Sequence, residues 1–266
     1  MGNISITKGA NTTIEGPLNH TGDGLIDMHA GGHVLFTGAY GSIPDFMTGI
    51  MALVRHSISG LGMISAGNMS FDRSETIFMG PLVSEGKQAY MSSNSAVVRF
   101  ASMLSQDRIE ELAAVSRASR AEEDMSGARR LLQMSDEDFT RHWVGGLGFQ
   151  SMGNISIEAG AATTFQGPLK HLGQGIIDLF AGAVATFAGY DEGKNWMADE
   201  AALVHHHIAA LGMRSAGNIT FQTSVATFAG SLWSYGVQAY LESSRAKVVF
   251  GSSVDDGCAE EIAAFT

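Results

Sequence analysis

Apolar and polar residues alternate along many short segments of this chain, and most of these segments end at a glycine or a polar corner. Ile4 and Ile6 are separated by a serine, and Met69 and Phe71 are separated in the same way. A period of two sends successive side chains to opposite faces of an extended strand. The pattern therefore predicts short β-strands with one buried and one polar face.

The chain is also duplicated internally. Residues 1–103 return as residues 152–253, so that the segment beginning at Met1 recurs at Met152 with an offset of 151. The copies preserve glycines, apolar spacing and interruptions together, which is typical of repeat proteins. We therefore expect two related halves.

Each half divides into four units of about 21 residues, each comprising a strand, a corner and a second strand. This length suits one coil of a parallel β-solenoid, in which equivalent positions stack about 4.8 Å apart. Stacked antiparallel hairpins remain the alternative, because corners such as Gly31-Gly32 also close hairpins. In the solenoid, recurring aromatic residues would form internal ladders: Phe36, Phe78, Phe100, Phe165, Phe187, Phe228 and Phe250.

Two segments that interrupt the units are predicted to be helical inserts, at about 43–61 and 194–211. In the first, Ile50, Val54 and Ile58 follow one another at a spacing of four, as on the apolar face of a helix. We therefore expect a mainly β protein in which a helix from each half lies along the solenoid or against a neighbouring subunit.

Residues 104–148 differ sharply in composition from both halves and predict a helical connector. Ser105 and Ser135 each precede acidic residues, as helix caps do. The predicted organisation is a first half at 1–103, the connector at 104–148, a second half at 149–253 and an acidic tail at 254–266.

Composition narrows the possible partners. The net charge is −11, with 16 basic and 27 acidic residues, so the basic footprint that binds nucleic acid is missing. The single cysteine, Cys258, predicts a free thiol. No secretory signal precedes the first repeat and no apolar run is long enough to span a membrane, so we expect a cytoplasmic protein or one incorporated into a particle or exported without a cleaved signal.

The candidate catalytic residues do not form a catalytic pattern. On a helix, the consecutive side chains His205, His206 and His207 would diverge by about 100° per residue and could not share one metal ion. His56 corresponds to His206, and we interpret both as polar-face residues. No phosphate loop, zinc motif or nucleophile motif occurs in a suitable context. We therefore expect no catalytic, cofactor or metal site, and no enzymatic activity.

The repeat itself resembles known β-solenoid families. The segment Gly-Asn-Ile-Ser-Ile-Glu-Ala-Gly-Ala-Ala-Thr-Thr-Phe, which ends at Phe165, is similar to the repeats of filamentous-haemagglutinin-type adhesins and of the spikes of contractile tails and secretion systems. The stretch from Gly16 to Gly22 resembles the spike repeats. The resemblance covers the eight units, about half of the chain, and implies a structural assembly protein.

The sequence thus favours a non-enzymatic structural protein that self-assembles into a spike, fibre, lattice or filament, with homo-oligomers and other structural subunits as the expected partners. The alternative is a β-helix that binds or cleaves carbohydrate. Its ligand residues would be the aromatic side chains Trp233 and Tyr235, which lie two positions apart, and the carboxylates Asp27 and Asp178, which occupy equivalent strands of the two halves.

Overall fold

The fold is a parallel β-solenoid, described here from a computed structural model. The structure describes residues 2–38, 53–103, 139–189, 204–209, 211–236, 239–244 and 246–251. These residues form 26 strands and no helix. Consequently, no helix of the described part is long and apolar enough to cross a membrane.

The strands form three parallel sheets, named here A, B and C. Sheet A contains β1 (Ile4–Ile6), β4 (Ile26–Met28), β7 (Met63–Ser65), β10 (Leu82–Ser84), β13 (Thr140–Val144), β16 (Ala161–Phe165), β19 (Val184–Ala188), β22 (Asn218–Gln222) and β25 (Tyr240–Ser244). Sheet B contains β2 (Asn11–Ile14), β5 (His33–Thr37), β8 (Asn68–Asp72), β11 (Tyr90–Asn94), β14 (Phe149–Ser151), β17 (Leu169–His171), β20 (Val204–Ile208), β23 (Ser224–Phe228) and β26 (Lys247–Phe250). Sheet C contains β3 (Asn19–His20), β6 (Val54–Ile58), β9 (Ser74–Phe78), β12 (Val97–Phe100), β15 (Asn154–Ile157), β18 (Ile177–Leu179), β21 (Met213–Ser215) and β24 (Leu232–Ser234).

Each coil of the solenoid contributes one strand to each sheet, so three strands make one turn. The predicted unit of two strands therefore lacked one of the three strands of a coil. All strand pairs are parallel, as in the pairing of β1 with β4 and of β4 with β7. The antiparallel hairpin alternative is wrong. At about 4.8 Å per coil, the nine levels of sheet A extend roughly 40 Å along the axis.

The predicted aromatic ladders fill the interior. Phe36 stacks on Phe71 at 5.4 Å, and Phe187 stacks on Phe165 at 5.6 Å and on Phe221 at 5.4 Å. Six of the seven phenylalanines named from the sequence are at most 1% exposed; the seventh, Phe250, lies in the last coil and is 65% exposed. Each fully buried ring contributes about 1.5–3 kcal/mol of burial free energy.

The predicted helices are wrong where the structure describes them. Residues 54–58 form β6 and residues 204–208 form β20, while residues 43–52 and 194–203 of the predicted inserts lie outside the described residues. The apolar spacing that suggested a helix also fits the two-residue period of a strand. His56 and Ile58 point inward, and Ser57 between them is half-buried. The strand form prevails because β3 and β9 supply hydrogen-bonding partners on both sides.

The prediction of a helical connector at 104–148 is wrong at its C-terminal end. Residues 140–144, inside the predicted range 104–148, form strand β13, whereas residues 104–138 lie outside the described part of the chain. Strand β13 pairs directly with β10 in the coil below. The coils before and after the insertion therefore stack on each other.

A repeat of seven strands underlies the predicted duplication. A Gly-Asn pair stands at the start of β1, β8, β15 and β22, at Asn3, Asn68, Asn154 and Asn218. Seven strands are two coils and one further strand, so these four starts lie on sheets A, B, C and A. Each repeat is thus turned by one face of the solenoid relative to the repeat before it.

The same seven-strand period places the insertions. Residues 39–52, 104–138 and 190–203 follow β5, β12 and β19, which are the fifth strands of successive repeats. These strands belong to sheets B, C and A. The three insertions therefore leave the solenoid at its three different corners.

Candidate functional site

Among the described residues, the two end coils have a neighbouring coil on one side only, and several of their inward-facing apolar side chains are more exposed than those of the coils between them. In sheet A, Ile26 and Ile219 are 2% and 0% exposed, whereas Leu241, next to Ile219 in the last coil, is 40% exposed. In sheet B, Phe228 is 1% exposed and its partner Phe250 is 65% exposed. The last coil thus presents an apolar surface across the solenoid axis.

The first coil is built in the same way. Ile4, Ile14 and Leu18 are only partly buried and pack against the core from one side. Ile14 is the register partner of Phe36, which is 1% exposed one coil further in. The described solenoid therefore carries an incompletely covered apolar surface at each end.

Five of the described histidines are buried in the solenoid, and three of these each lie on the strand that follows an insertion. His56, His142 and His206 are at most 1% exposed, so our interpretation of His56 and His206 as polar-face residues is wrong. Burial lowers the pKa of all three, to about 4 for His142 and His206. They are neutral core groups at neutral pH.

Hydrogen bonds fix the ring orientation of His142 and His206. The Nε2–H of His206 donates to the Ala188 carbonyl at 3.0 Å, and Nδ1 accepts from the Leu169 N–H at 3.3 Å. The Nε2–H of His142 donates to the Ala101 carbonyl at 2.8 Å. Ala101 directly follows β12 and Ala188 ends β19, so at these two insertions the histidine after the insertion bonds to the backbone just before it.

The sequence did contain a signal for these histidines. A basic residue precedes a histidine at Arg55-His56, at Arg141-His142 and at His205-His206, each time about five residues before a Leu-Gly turn. The outward basic side chain and the inward imidazole follow the period of two. Read as strands instead of helix ends, these dipeptides predict buried histidines.

The four ligand residues predicted from the sequence do not all lie together. Asp178 and Trp233 belong to sheet C, where Arg214 lies between them in register, and Tyr235 directly follows the same strand as Trp233. Asp27 belongs to sheet A, and its carboxylate lies 3.5 Å from the His29 ring. The two aspartates are equivalent in sequence but occupy different faces.

The described surface offers little catalytic chemistry. No group of three or more His, Cys, Asp or Glu side chains in the described residues could hold a metal ion. One corner groove between sheets B and C is lined without any titratable side chain, by Asn94, Ser95, Met152, Leu172, Gln174 and Leu211. General acid–base chemistry in that groove has no candidate group.

Cys258 and the predicted acidic tail at 254–266 lie outside the described residues. The histidines of the triplet His205–His207 alternate along β20, so His206 points into the core and its two neighbours point out. They therefore cannot converge on one metal ion, although the reason is the strand period and not the helical one.

Comparison of the chain with protein-family models, with curated proteins and with solved structures finds no match in any of the three.

Proposed function

We propose that this protein is a non-enzymatic structural subunit that assembles end to end with further copies of itself. The observation that carries the proposal is the contrast along single core columns. Phe250 in the last coil is 65% exposed, although Phe228 at the same position one coil earlier is 1% exposed. A large aromatic side chain on the solenoid axis is stabilised when another coil covers it.

The unpaired edges of the terminal strands also favour association through the end coils. Among the described residues, β25 and β26 have neighbours on one side only, and so do β1 and β2 at the other end. Unpaired strand edges pair readily with further strands. An end coil thus offers both apolar side chains and backbone hydrogen-bonding groups to the next molecule.

A second copy is the occupant that fits both ends. The first coil presents the aliphatic residues Ile4, Ile14 and Leu18, and the last coil presents Leu241 and Phe250. Because every strand pair is parallel, joining the first coil of one copy to the last described coil of another continues sheets A and B, to which β25 and β26 belong. Such a head-to-tail contact leaves new free ends and leads to filaments.

Sedimentation and electron microscopy over a wide protein concentration range test this proposal. We expect association that rises with concentration, and elongated particles whose length grows while their width stays constant. Phe250→Lys places a charge on the end surface and should suppress this growth. Leu147→Lys is the matched control, since Leu147 is 60% exposed in a turn near the middle of the solenoid.

A mixing experiment distinguishes head-to-tail assembly from other contacts. Ile14→Lys blocks the first coil and Phe250→Lys blocks the last coil, so each variant alone should remain monomeric. Mixed together, they should form dimers and nothing larger, because only one pair of intact ends exists. A wild type that stays monomeric throughout, or a Leu147→Lys variant that also fails to assemble, contradicts the proposal.

A further inference from the structure

Six positions form an outward-facing array on sheet C, at the corner where the chain turns towards sheet A. Asp178, Arg214 and Trp233 are register partners on the adjacent strands β18, β21 and β24. A second row lies two residues further along the chain: Phe180, Ala216 and Tyr235. The two rows share one face because alternate residues of an extended chain point the same way.

Backbone hydrogen bonds extend the strand register into the second row. The Ala216 N–H donates to the Leu179 carbonyl at 2.8 Å, and the Tyr235 N–H donates to the Ser215 carbonyl at 2.9 Å. The inward neighbours Leu179 and Ser215 are 2% and 0% exposed. The side chains of the second row therefore point away from the core.

The second row places an exposed aromatic residue on either side of a small residue. Phe180 and Tyr235 are 50% and 54% exposed, and the small side chain of Ala216 lies between them. Two coil steps separate the backbones of the two aromatic residues by roughly 10 Å. A saturated ring in contact with an aromatic face on each side needs about 8 Å, at 3.5–4.0 Å per carbon contact.

The first row places a neutral, polar pair of side chains next to the second row. Nε and Nη2 of Arg214 donate to the two carboxylate oxygens of Asp178 at 2.7 and 2.8 Å. A bidentate pair of this kind still has outward N–H groups and carboxylate lone pairs. Hydroxyl groups both donate and accept, so adjacent hydroxyls on a ring can bond to both members of the pair.

We propose that this array binds a neutral pyranose sugar, with its ring between Phe180 and Tyr235 and its hydroxyls on the Arg214–Asp178 pair, while Trp233 stacks on an adjoining sugar. An anionic sugar is disfavoured because the guanidinium is already neutralised and the chain carries a net charge of −11. The array lies on the side of the solenoid, so binding does not depend on end-to-end assembly.

Immobilised neutral oligosaccharides of glucose, galactose, mannose, xylose and N-acetylglucosamine test the proposal, with oligogalacturonate as the anionic comparison. We expect at least one neutral oligosaccharide to bind and oligogalacturonate not to bind. Tyr235→Ala and Phe180→Ala should each weaken the affinity about tenfold, as expected for loss of one aromatic contact. Leu147→Ala is the control, because Leu147 is 60% exposed in a turn outside the array and outside both end coils, and it should leave the affinity unchanged.

A substitution in the Arg214–Asp178 ion pair tests the proposal separately. Asp178→Asn keeps the shape of the side chain but leaves the Arg214 guanidinium charged, and it should weaken the neutral sugar while allowing oligogalacturonate to bind. The proposal is overturned by absence of binding to every neutral oligosaccharide. Binding that survives in both Tyr235→Ala and Phe180→Ala overturns it equally. The circular dichroism of each variant confirms that the fold is retained.

Discussion

The imidazole of His142 packs against the ring of Phe100 with 5.3 Å between the ring centroids. The two residues are the last inward ring before residues 104–138 and the first inward ring after them. The same contact recurs at the other two insertions, between Phe36 and His56 and between Phe187 and His206, each at 5.4 Å. An aromatic pair thus joins the two sides of every insertion within the core.

His142→Ala should destabilise the protein by about 2–4 kcal/mol, because it leaves a cavity beside Phe100 and an unpaired Ala101 carbonyl. The free energy of unfolding from denaturant titration measures this loss. His207→Ala is the matched control, since His207 points outward from β20 and its removal creates no core cavity. Equal losses in the two variants would contradict the role assigned to His142.

The buried histidines predict a stability that decreases as the pH falls. The pKa of His142 and of His206 is lowered from 6.5 to about 4 by burial. Below the unfolded value the unfolded chain takes up protons that the folded chain does not, so folding becomes less favourable. Each histidine should remove about 3 kcal/mol once the pH has fallen to about 4.

Denaturant titrations between neutral pH and pH of about 5 check this prediction, since most carboxylates remain ionised in that window. The slope of stability against pH should become smaller in His142→Gln, which cannot take up a proton. His207→Gln should keep the wild-type slope. A protein whose stability is constant across the window would contradict the burial of neutral histidines.

Gly148→Ala should destabilise the protein by more than about 2 kcal/mol. Gly148 has φ of 90°, and an added Cβ would overlap the carbonyl oxygen of Pro168 in the next coil. Gly9 is the matched control, because its φ is 77° but an added Cβ would meet nothing within 4 Å. Thermal melting of the two alanine variants separates the coil contact from the backbone strain that they share.

Arg99→Met should destabilise the protein by roughly 1–3 kcal/mol, and the loss should shrink at high salt. Nη1 of Arg99 donates to Glu75 at 2.7 Å and Nε to Glu158 at 2.6 Å, so one side chain joins three coils. Arg73→Met is the control, because among the described residues Arg73 forms an ion pair only with its neighbour Asp72, and its side chain is 67% exposed. A loss no larger than that of the control would contradict the linking role of Arg99.

Much of the fold could be predicted from local pattern. The alternation at Met69 and Phe71 appears as strand β8, and the alternation at Ile4 and Ile6 appears as strand β1. The helix prediction at 54–58 failed because an apolar spacing of four satisfies both periods, three or four residues for a helix and two for a strand. Only the neighbouring strands decided between them.

The exposed end surfaces had no signal in the sequence. Phe228 and Phe250 stand in equivalent strands and follow the same pattern, yet one is 1% and the other 65% exposed. Exposure depends on whether another coil lies above the residue, which local sequence does not record. Part of the array proposed to bind sugar was missed for a related reason. Phe180 and Ala216 lie beside Tyr235 only because of the register of three coils.

The sequence by itself determined the strands, their inward and outward faces and the glycine corners, because these follow from side-chain period and backbone sterics within a few residues. Only the tertiary structure decided which residues share a face. Asp27 and Asp178 are equivalent in sequence, but fourteen strands separate β4 from β18, and fourteen is not a multiple of the three strands in a coil. The second copy is therefore turned by two faces in the direction of the chain, which places one aspartate on sheet A and the other on sheet C.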